Sequence, residues 1–141
     1  IGNLEQLPEA CHTSLQDAIQ ETSSNTGLTL NLALSYSGKS DITRAVQAIA
    51  QQVKNGSVDP ESIDDSLIKR YLTTAKIPDP ALLIRTSGET RISNFLLWEL
   101  AYTELYFFRK NWPEFTKDDL FQAVIDYQNR ERRFGMISEQ I

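Results

Sequence analysis

The chain has 141 residues, 40% of them hydrophobic and 23% charged, with a net charge of −5. That is enough for one domain with its own core, and the acidic balance excludes a general nucleic-acid binder, which needs a broad basic surface. The lone Cys11 excludes a disulfide framework and points to a reducing, cytoplasmic setting; no apolar run reaches bilayer length and no signal peptide is visible.

The chain opens IGNLEQLP, with no initiator Met and with Ile1 resembling the tail of a strand, so a fragment with a missing upstream part is expected. Helical spacing of Cys11, Leu15, Ala18 and Ile19 predicts a helix over 7–24, broken by SSNTG. Cys11 reads as a core residue, and His12 has no partner motif. Leu28, Leu30, Leu32, Leu34 and Tyr36 then alternate with Thr29, Asn31, Ala33 and Ser35, the period of two that predicts a strand. From Ile42 the period changes. Ile42, Ala45, Val46, Ile49, Ala50 and Val53 mark one helical face, with Ser40 as N-cap and Asn55-Gly56 as the stop.

Asp59 followed by Pro60 predicts a capped helical start, and Asp64 caps a second short helix. Leu82 to Arg85 reads as a short buried strand, ISNFLLWELAY as a helix and ELYFF as a further strand. Thr116 with Asp119 forms a capping box for a last helix, whose inner face carries Leu120, Phe121, Val124 and Ile125. Strands alternating with helices predict an α/β fold with a mainly parallel sheet flanked by helices. Ligands in such sheets gather beyond the carboxyl ends of strands, where this chain carries YSGKS and RTSGETR.

ALSYSGKS matches the loose pattern of a nucleotide-binding phosphate loop. A phosphate cradle needs several glycines, and here only Gly38 is available. The companion strand should end in an acidic residue that helps hold Mg²⁺, whereas ALLIR ends in Arg85. An ordinary strand-to-helix turn is the better reading.

The second loop is denser. Arg85 ends a strand, Arg91 follows six residues later, and Ser87, Gly88 and Ser93 lie around them. Planar guanidinium groups match phosphate oxygens bidentately, so a pair of them suits a diphosphate. Amides at the start of the ISNFLL helix would add donors and a favourable dipole. Each charge-assisted bond would contribute about 1.5–3 kcal/mol. Glu104 would offer a hard oxygen for Mg²⁺. The plainer alternative is that Arg85 pairs with Glu89 or Glu99 and that Glu104 is a solvated strand end.

The run DPALLIRTSGETRISNFLLWELAYTELYF, followed by NWPEF and NRERRFG, resembles the cis-prenyltransferase family, that is, undecaprenyl diphosphate synthases. NLALSYSGKSDI matches the same family's strand-turn-helix segment, with Lys39 where the family usually has Arg. The resemblance covers nearly all of the chain. It implies a transferase that condenses isopentenyl diphosphate with an allylic diphosphate, such as farnesyl diphosphate, to make a polyprenyl diphosphate carrier lipid, undecaprenyl diphosphate in cell-wall precursor synthesis.

Carried over by position, the resemblance implies that Arg85, Arg91, Ile92 and Ser93 bind the isopentenyl diphosphate and that Glu104 helps position Mg²⁺. Arg133 and Gly135, in Arg133-Phe134-Gly135, would reach across a homodimer to the partner's substrate. Thr90 stands at a variable position that is His in some members, while Arg130 and Arg132 read as a solvated basic helix end. Alternate residues of 28–36 would line one wall of an apolar product tunnel, unless they are plain core. The lipid product implies transient association with a membrane surface. The family's Asp-Gly-Asn motif, which supplies the principal Mg²⁺ ligand, is absent. The chain therefore reads as residues 1–141 of an incomplete domain, the C-terminal portion of a single catalytic domain and inactive by itself. A non-catalytic partner subunit of a prenyltransferase is the alternative.

Overall fold

The computed structural model describes residues 1–131. Two compact units divide the chain, Ile1–Pro78 and Asp79 onward.

In the first unit, α1 (Glu9–Thr22) contains no buried residue, and Cys11 is exposed rather than in a core. The predicted strand over Leu28–Tyr36 does not form a regular strand. Strands are stabilised by neighbours in the ladder, and among the described residues only Ile1–Asn3 runs alongside. The nitrogen of Ile1 donates to the Leu32 carbonyl at 2.7 Å, and the Leu34 amide donates to the Ile1 carbonyl at 2.9 Å. The approach is close enough to require glycine at position 2. Gly2 has φ +113°, and a Cβ there would collide with the Leu34 carbonyl. The alternating leucines consequently stay open, with Leu28 96% and Leu30 76% exposed.

Helix α2 (Gly38–Lys54) starts earlier than its apolar period suggests, because Ser37, not Ser40, is the N-cap. The Ser40 amide donates to Ser37 Oγ at 3.2 Å. The helix stops at Asn55 as expected, with Gly56 in the left-handed region at φ +73°. Its buried stripe is Gly38, Asp41, Ala45 and Ile49, whereas Val46 remains 54% exposed. Asp59 caps a short 3₁₀ turn, Pro60–Ser62, and Asp64 caps α3 (Asp65–Tyr71) through the Leu67 amide at 2.7 Å.

Asp41 is 1% exposed. Its carboxylate accepts from the Thr73 hydroxyl at 2.7 Å and the Thr73 amide at 3.2 Å, and pairs with Arg44 at 3.1 Å. These bonds compensate for burying the charge and tie the first turn of α2 to the residues just after α3. Replacing Asp41 by Asn presents an amide donor to the Thr73 donors, so stability in urea unfolding is expected to fall by about 2–3 kcal/mol. Thr73→Val, which removes one hydroxyl, should cost about 1 kcal/mol. An unchanged midpoint for Asp41→Asn would contradict this account.

In the second unit, β1 (Leu82–Arg85) and β2 (Glu104–Phe107) form where the apolar runs predict them. They pair in parallel with Leu82 opposite Glu104 and Arg85 opposite Phe107. With the helices of both units this is an α/β arrangement. The Phe108 amide prolongs the ladder by donating to the Arg85 carbonyl at 2.7 Å. The helix expected over ISNFLLWELAY is absent except for a 3₁₀ turn, Glu99–Tyr102. Ser93, Asn94 and Leu96 all have positive φ, which no right-handed helix accommodates.

Helix α4 (Lys117–Gln128) carries the predicted capping box. Asp119 also takes the Lys110 ammonium at 2.9 Å. The face expected to be internal is largely open, with Phe121 and Ile125 each 51% exposed; the buried residue of the helix is Ala123.

The hydrogen bond from Lys110, followed by the Thr116 amide, holds the Asp119 carboxyl below its ordinary value. Such a group binds fewer protons folded than unfolded. Its stabilisation is complete above the ordinary carboxylate range and disappears as pH falls through the folded-state value. Amide-exchange protection of α4 should therefore decrease on acidification towards about pH 3. Lys110→Met should remove most of that dependence; identical pH profiles for the two proteins would show that the pair does not act this way.

Candidate functional site

Arg85 is placed by the carboxyl end of β1, and the loop after it is fastened to the segment after β2. The Ser87 amide donates to the Lys110 carbonyl at 2.7 Å and the Gly88 amide to the Phe108 carbonyl at 2.8 Å. Gly88, at φ +70°, and Ser87, at φ +72°, make the turn. The chain then folds back so that one Arg85 nitrogen donates to the Arg91 carbonyl and, at 2.9 Å, to Ser93 Oγ. Arg85 is thus brought against the Arg91 backbone carbonyl and the Ser93 hydroxyl.

Two details differ from expectation. Arg85 pairs with neither Glu89 nor Glu99 among the described residues; its acceptors are a carbonyl and a hydroxyl, both uncharged. The Arg91 guanidinium instead pairs with Glu89. Since the ISNFLL helix is missing, it offers no helix N-terminus to an anion. Ile92 belongs to the loop, its carbonyl accepting from the Phe95 amide at 3.0 Å. Thr90 is exposed.

The Arg91–Glu89 pair lies in the open, with the Arg91 side chain 66% exposed. Surface pairs of this kind contribute about 1 kcal/mol or less, so Glu89 holds Arg91 only weakly. Four left-handed non-glycine residues, Ser87, Ser93, Asn94 and Leu96, concentrate backbone strain here, as ligand-binding loops commonly do.

Glu104 is elsewhere. The register puts it opposite Leu82, at the start of the pair of strands, three residues and about 10 Å along the strand direction from the Arg85 end. It is no solvated strand end, and Arg130 is no solvated helix end. Arg130 donates to Glu104 Oε2 and to the Leu105 carbonyl, both at 2.9 Å, and its Nε donates to Asp126 at 2.7 Å. The Glu104 hydrogen bond, then Asp126, raises the Arg130 guanidinium above its ordinary value, against the opposing effect of burial. The sequence signals for this cluster were the charges themselves. Their meeting depends on chain separated by 26 residues.

No three His, Cys, Asp or Glu side chains among the described residues converge in a way that could hold a metal ion. Among the described residues Arg130 takes Oε2 of Glu104 and none takes Oε1, on a side chain 28% exposed. That suits the mode in which Mg²⁺ uses one carboxylate and completes its shell with phosphate oxygens and water. Arg133 and Gly135 lie outside the described residues. No helix of the described residues is long and apolar enough to cross a membrane.

The first unit contains an apolar groove of about 480 Å³, lined by Leu15 and Ile19 of α1 and by Leu28, Leu30, Leu32 and Leu34. The alternating residues are therefore groove wall rather than plain core.

The arginine-bearing loop stands at a strand's carboxyl end, the position at which α/β proteins commonly gather their ligands. Comparison with known proteins narrows this. A prenyltransferase family model, described as undecaprenyl diphosphate synthase, matches residues 1–135. An isoprenyl transferase of Chlorobaculum tepidum is 52% identical over 141 residues, covering 100% of this chain and 53% of the relative. The ditrans,polycis-undecaprenyl-diphosphate synthase ((2E,6E)-farnesyl-diphosphate specific) of Vibrio cholerae is 49% identical over 141 residues, covering 100% and 56%. Among solved structures, lavandulyl diphosphate synthase from Lavandula x intermedia, in complex with dimethylallyl diphosphate, superposes with a TM-score of 0.92 at 40% identity. That match covers 96% of this chain and 58% of the other. The chain belongs to the undecaprenyl diphosphate synthase family of prenyltransferases. It spans about half the length of the curated relatives it matches.

If the Arg85 loop is an anion cradle, inorganic pyrophosphate should bind the chain. Arg85→Ala should weaken that binding about 10- to 100-fold in calorimetric titration, the equivalent of one charge-assisted contact. Glu89→Gln, which removes the competing carboxylate, should strengthen it; equal affinities for all three proteins would eliminate the cradle.

Proposed function

We propose that this chain is the C-terminal portion of a cis-prenyl chain-elongating transferase that condenses isopentenyl diphosphate with an allylic diphosphate, such as farnesyl diphosphate, to form a polyprenyl diphosphate of the undecaprenyl type. The observation that carries the reading is the Arg85 guanidinium at the carboxyl end of β1, with Arg91 and Ser93 folded against it. Family membership supplies the reaction class.

The chemistry asks these residues to bind and orient. Arg85, Arg91 and Ser93, with Ile92 beside them, hold the isopentenyl diphosphate so that its double bond faces the allylic carbon. Fixing two reactants in an attack geometry is a large part of what such a site contributes. Glu104 is the described residue that would help hold Mg²⁺, whose charge would offset that of the diphosphate. Leu28, Leu30 and Leu32 give the growing apolar chain a wall in the groove beside α1.

The reading includes a homodimer. In it, Arg133 and Gly135 would reach across the interface to the partner's substrate, as the family resemblance implies. The remaining elements, a cytoplasmic enzyme of cell-wall precursor synthesis that visits the membrane surface with its lipid product, follow from the proposed product.

The 141 residues alone should incorporate negligible labelled isopentenyl diphosphate; clear incorporation would refute the incomplete-domain reading. In the complete polypeptide, Arg85→Ala should raise the KM for isopentenyl diphosphate about 10- to 100-fold. A non-catalytic partner subunit would tolerate that substitution with no change in the activity of its complex.

A further inference from the structure

Arg130 stands just beyond α4, and nothing in the prenyl-transfer reading gives it a task. Its surroundings are unusually complete for a residue near a helix end. Nε donates to Asp126 Oδ2 at 2.7 Å and NH2 approaches the same oxygen at 2.5 Å. NH1 serves Glu104 Oε2 and the Leu105 carbonyl, each at 2.9 Å. The side chain is only 30% exposed.

These partners lie on two elements. Asp126 is on α4, while Glu104 and Leu105 begin β2. A planar guanidinium gripped from both sides cannot turn without losing bonds to each. Glu104, a flexible side chain that would otherwise sample several rotamers at an entropic cost to any ligand that orders it, is held in one place beforehand.

The charges also matter. One guanidinium between two carboxylates leaves the cluster with a net negative charge, so it still attracts a cation. A simple one-to-one ion pair would not. Among the described residues the bond goes to Oε2, and Oε1 of Glu104 takes no hydrogen bond on a side chain 28% exposed.

We propose that Arg130 is a positioning residue for Glu104: braced by Asp126 and the Leu105 carbonyl, it fixes the carboxylate so that Oε1 meets a divalent cation carried by a diphosphate. What Glu104 serves rests on the prenyl-transfer reading; how Glu104 is held does not. Arg130 touches no substrate in this scheme and acts through its neighbour.

Two measurements test it. In the complete polypeptide, Arg130→Lys should raise the Mg²⁺ concentration for half-maximal prenyl transfer about 10- to 100-fold, the usual effect of removing a partner of a metal-binding side chain. An ammonium cannot span Asp126, Glu104 and the Leu105 carbonyl together. Glu104→Gln should raise the requirement too, and the double variant should need no more Mg²⁺ than Glu104→Gln alone, because the two residues act as one unit. A residue with only a structural role would lower the urea midpoint and leave the Mg²⁺ requirement unchanged, and that result overturns the proposal.

The second measurement is independent of activity. Carbon-13 NMR of the glutamate side-chain carboxylates in the 141-residue chain, with the Glu104 signal assigned by Glu104→Gln, is followed as Mn²⁺ and inorganic pyrophosphate are added. The Glu104 signal should broaden in the wild type, and much less in Arg130→Lys. Equal broadening, or none in either protein, overturns the proposal. If the complete wild type transfers no prenyl groups, the functional reading fails while this second result still decides the role of Arg130.

Discussion

The parallel register between β1 and β2 governs where the charged groups of the second unit stand. Leu82 faces Glu104 and Arg85 faces Phe107, so one end of the pair carries a carboxylate and the other a guanidinium. Parallel strands leave both chains running the same way, so everything after β1 and everything after β2 emerges at one end. That is why the Ser87 and Gly88 amides can reach the Lys110 and Phe108 carbonyls. The arginine loop is anchored on both sides, and Arg85 has a rigid base from which to hold Arg91 and Ser93.

The same constraint divides functions that look adjacent in sequence. Arg91 and Glu104 are close along the chain, and a linear reading groups them into one site. The register separates Glu104 from the Arg85 end by nearly the length of the strand pair. A carboxylate so far from the Arg85 end is free to be organised by different neighbours. Arg130 and Asp126 provide that organisation.

What the sequence revealed, and what it did not, follows from the range of each interaction. Asp59, Asp64 and the Thr116–Asp119 box were legible because a cap binds amides two or three residues away. Strands β1 and β2 were legible as short apolar runs. The leucines at 28, 30, 32 and 34 displayed the right period, yet a period states only which face is apolar. The ladder bonds that make a strand come from elsewhere, and Ile1–Asn3 supplies few of them. The missing helix over 92–102 is a related failure, since Ser93, Asn94 and Leu96 adopt left-handed backbone that composition does not announce. Asp41 reads as an ordinary first-turn acid until Thr73 arrives from 32 residues away.

Two arginines of one chain end up in opposite electrostatic situations, and the difference assigns their work. Arg130 has its charge neutralised by two carboxylates and its donors committed to three partners. It has little left for a ligand and much capacity to hold others still. Arg85 also spends donors, but on a carbonyl and a hydroxyl, neither of which cancels its charge. Among the described residues, that guanidinium is structurally fixed yet electrostatically unsatisfied. Among the described residues the Arg91 charge is paired with the partly exposed Glu89, and a surface partner of that kind holds it weakly. A fixed, uncompensated cation would meet an anion at low reorganisation cost, as the proposed function requires. By the same reasoning, Arg130 belongs to the scaffold around Glu104.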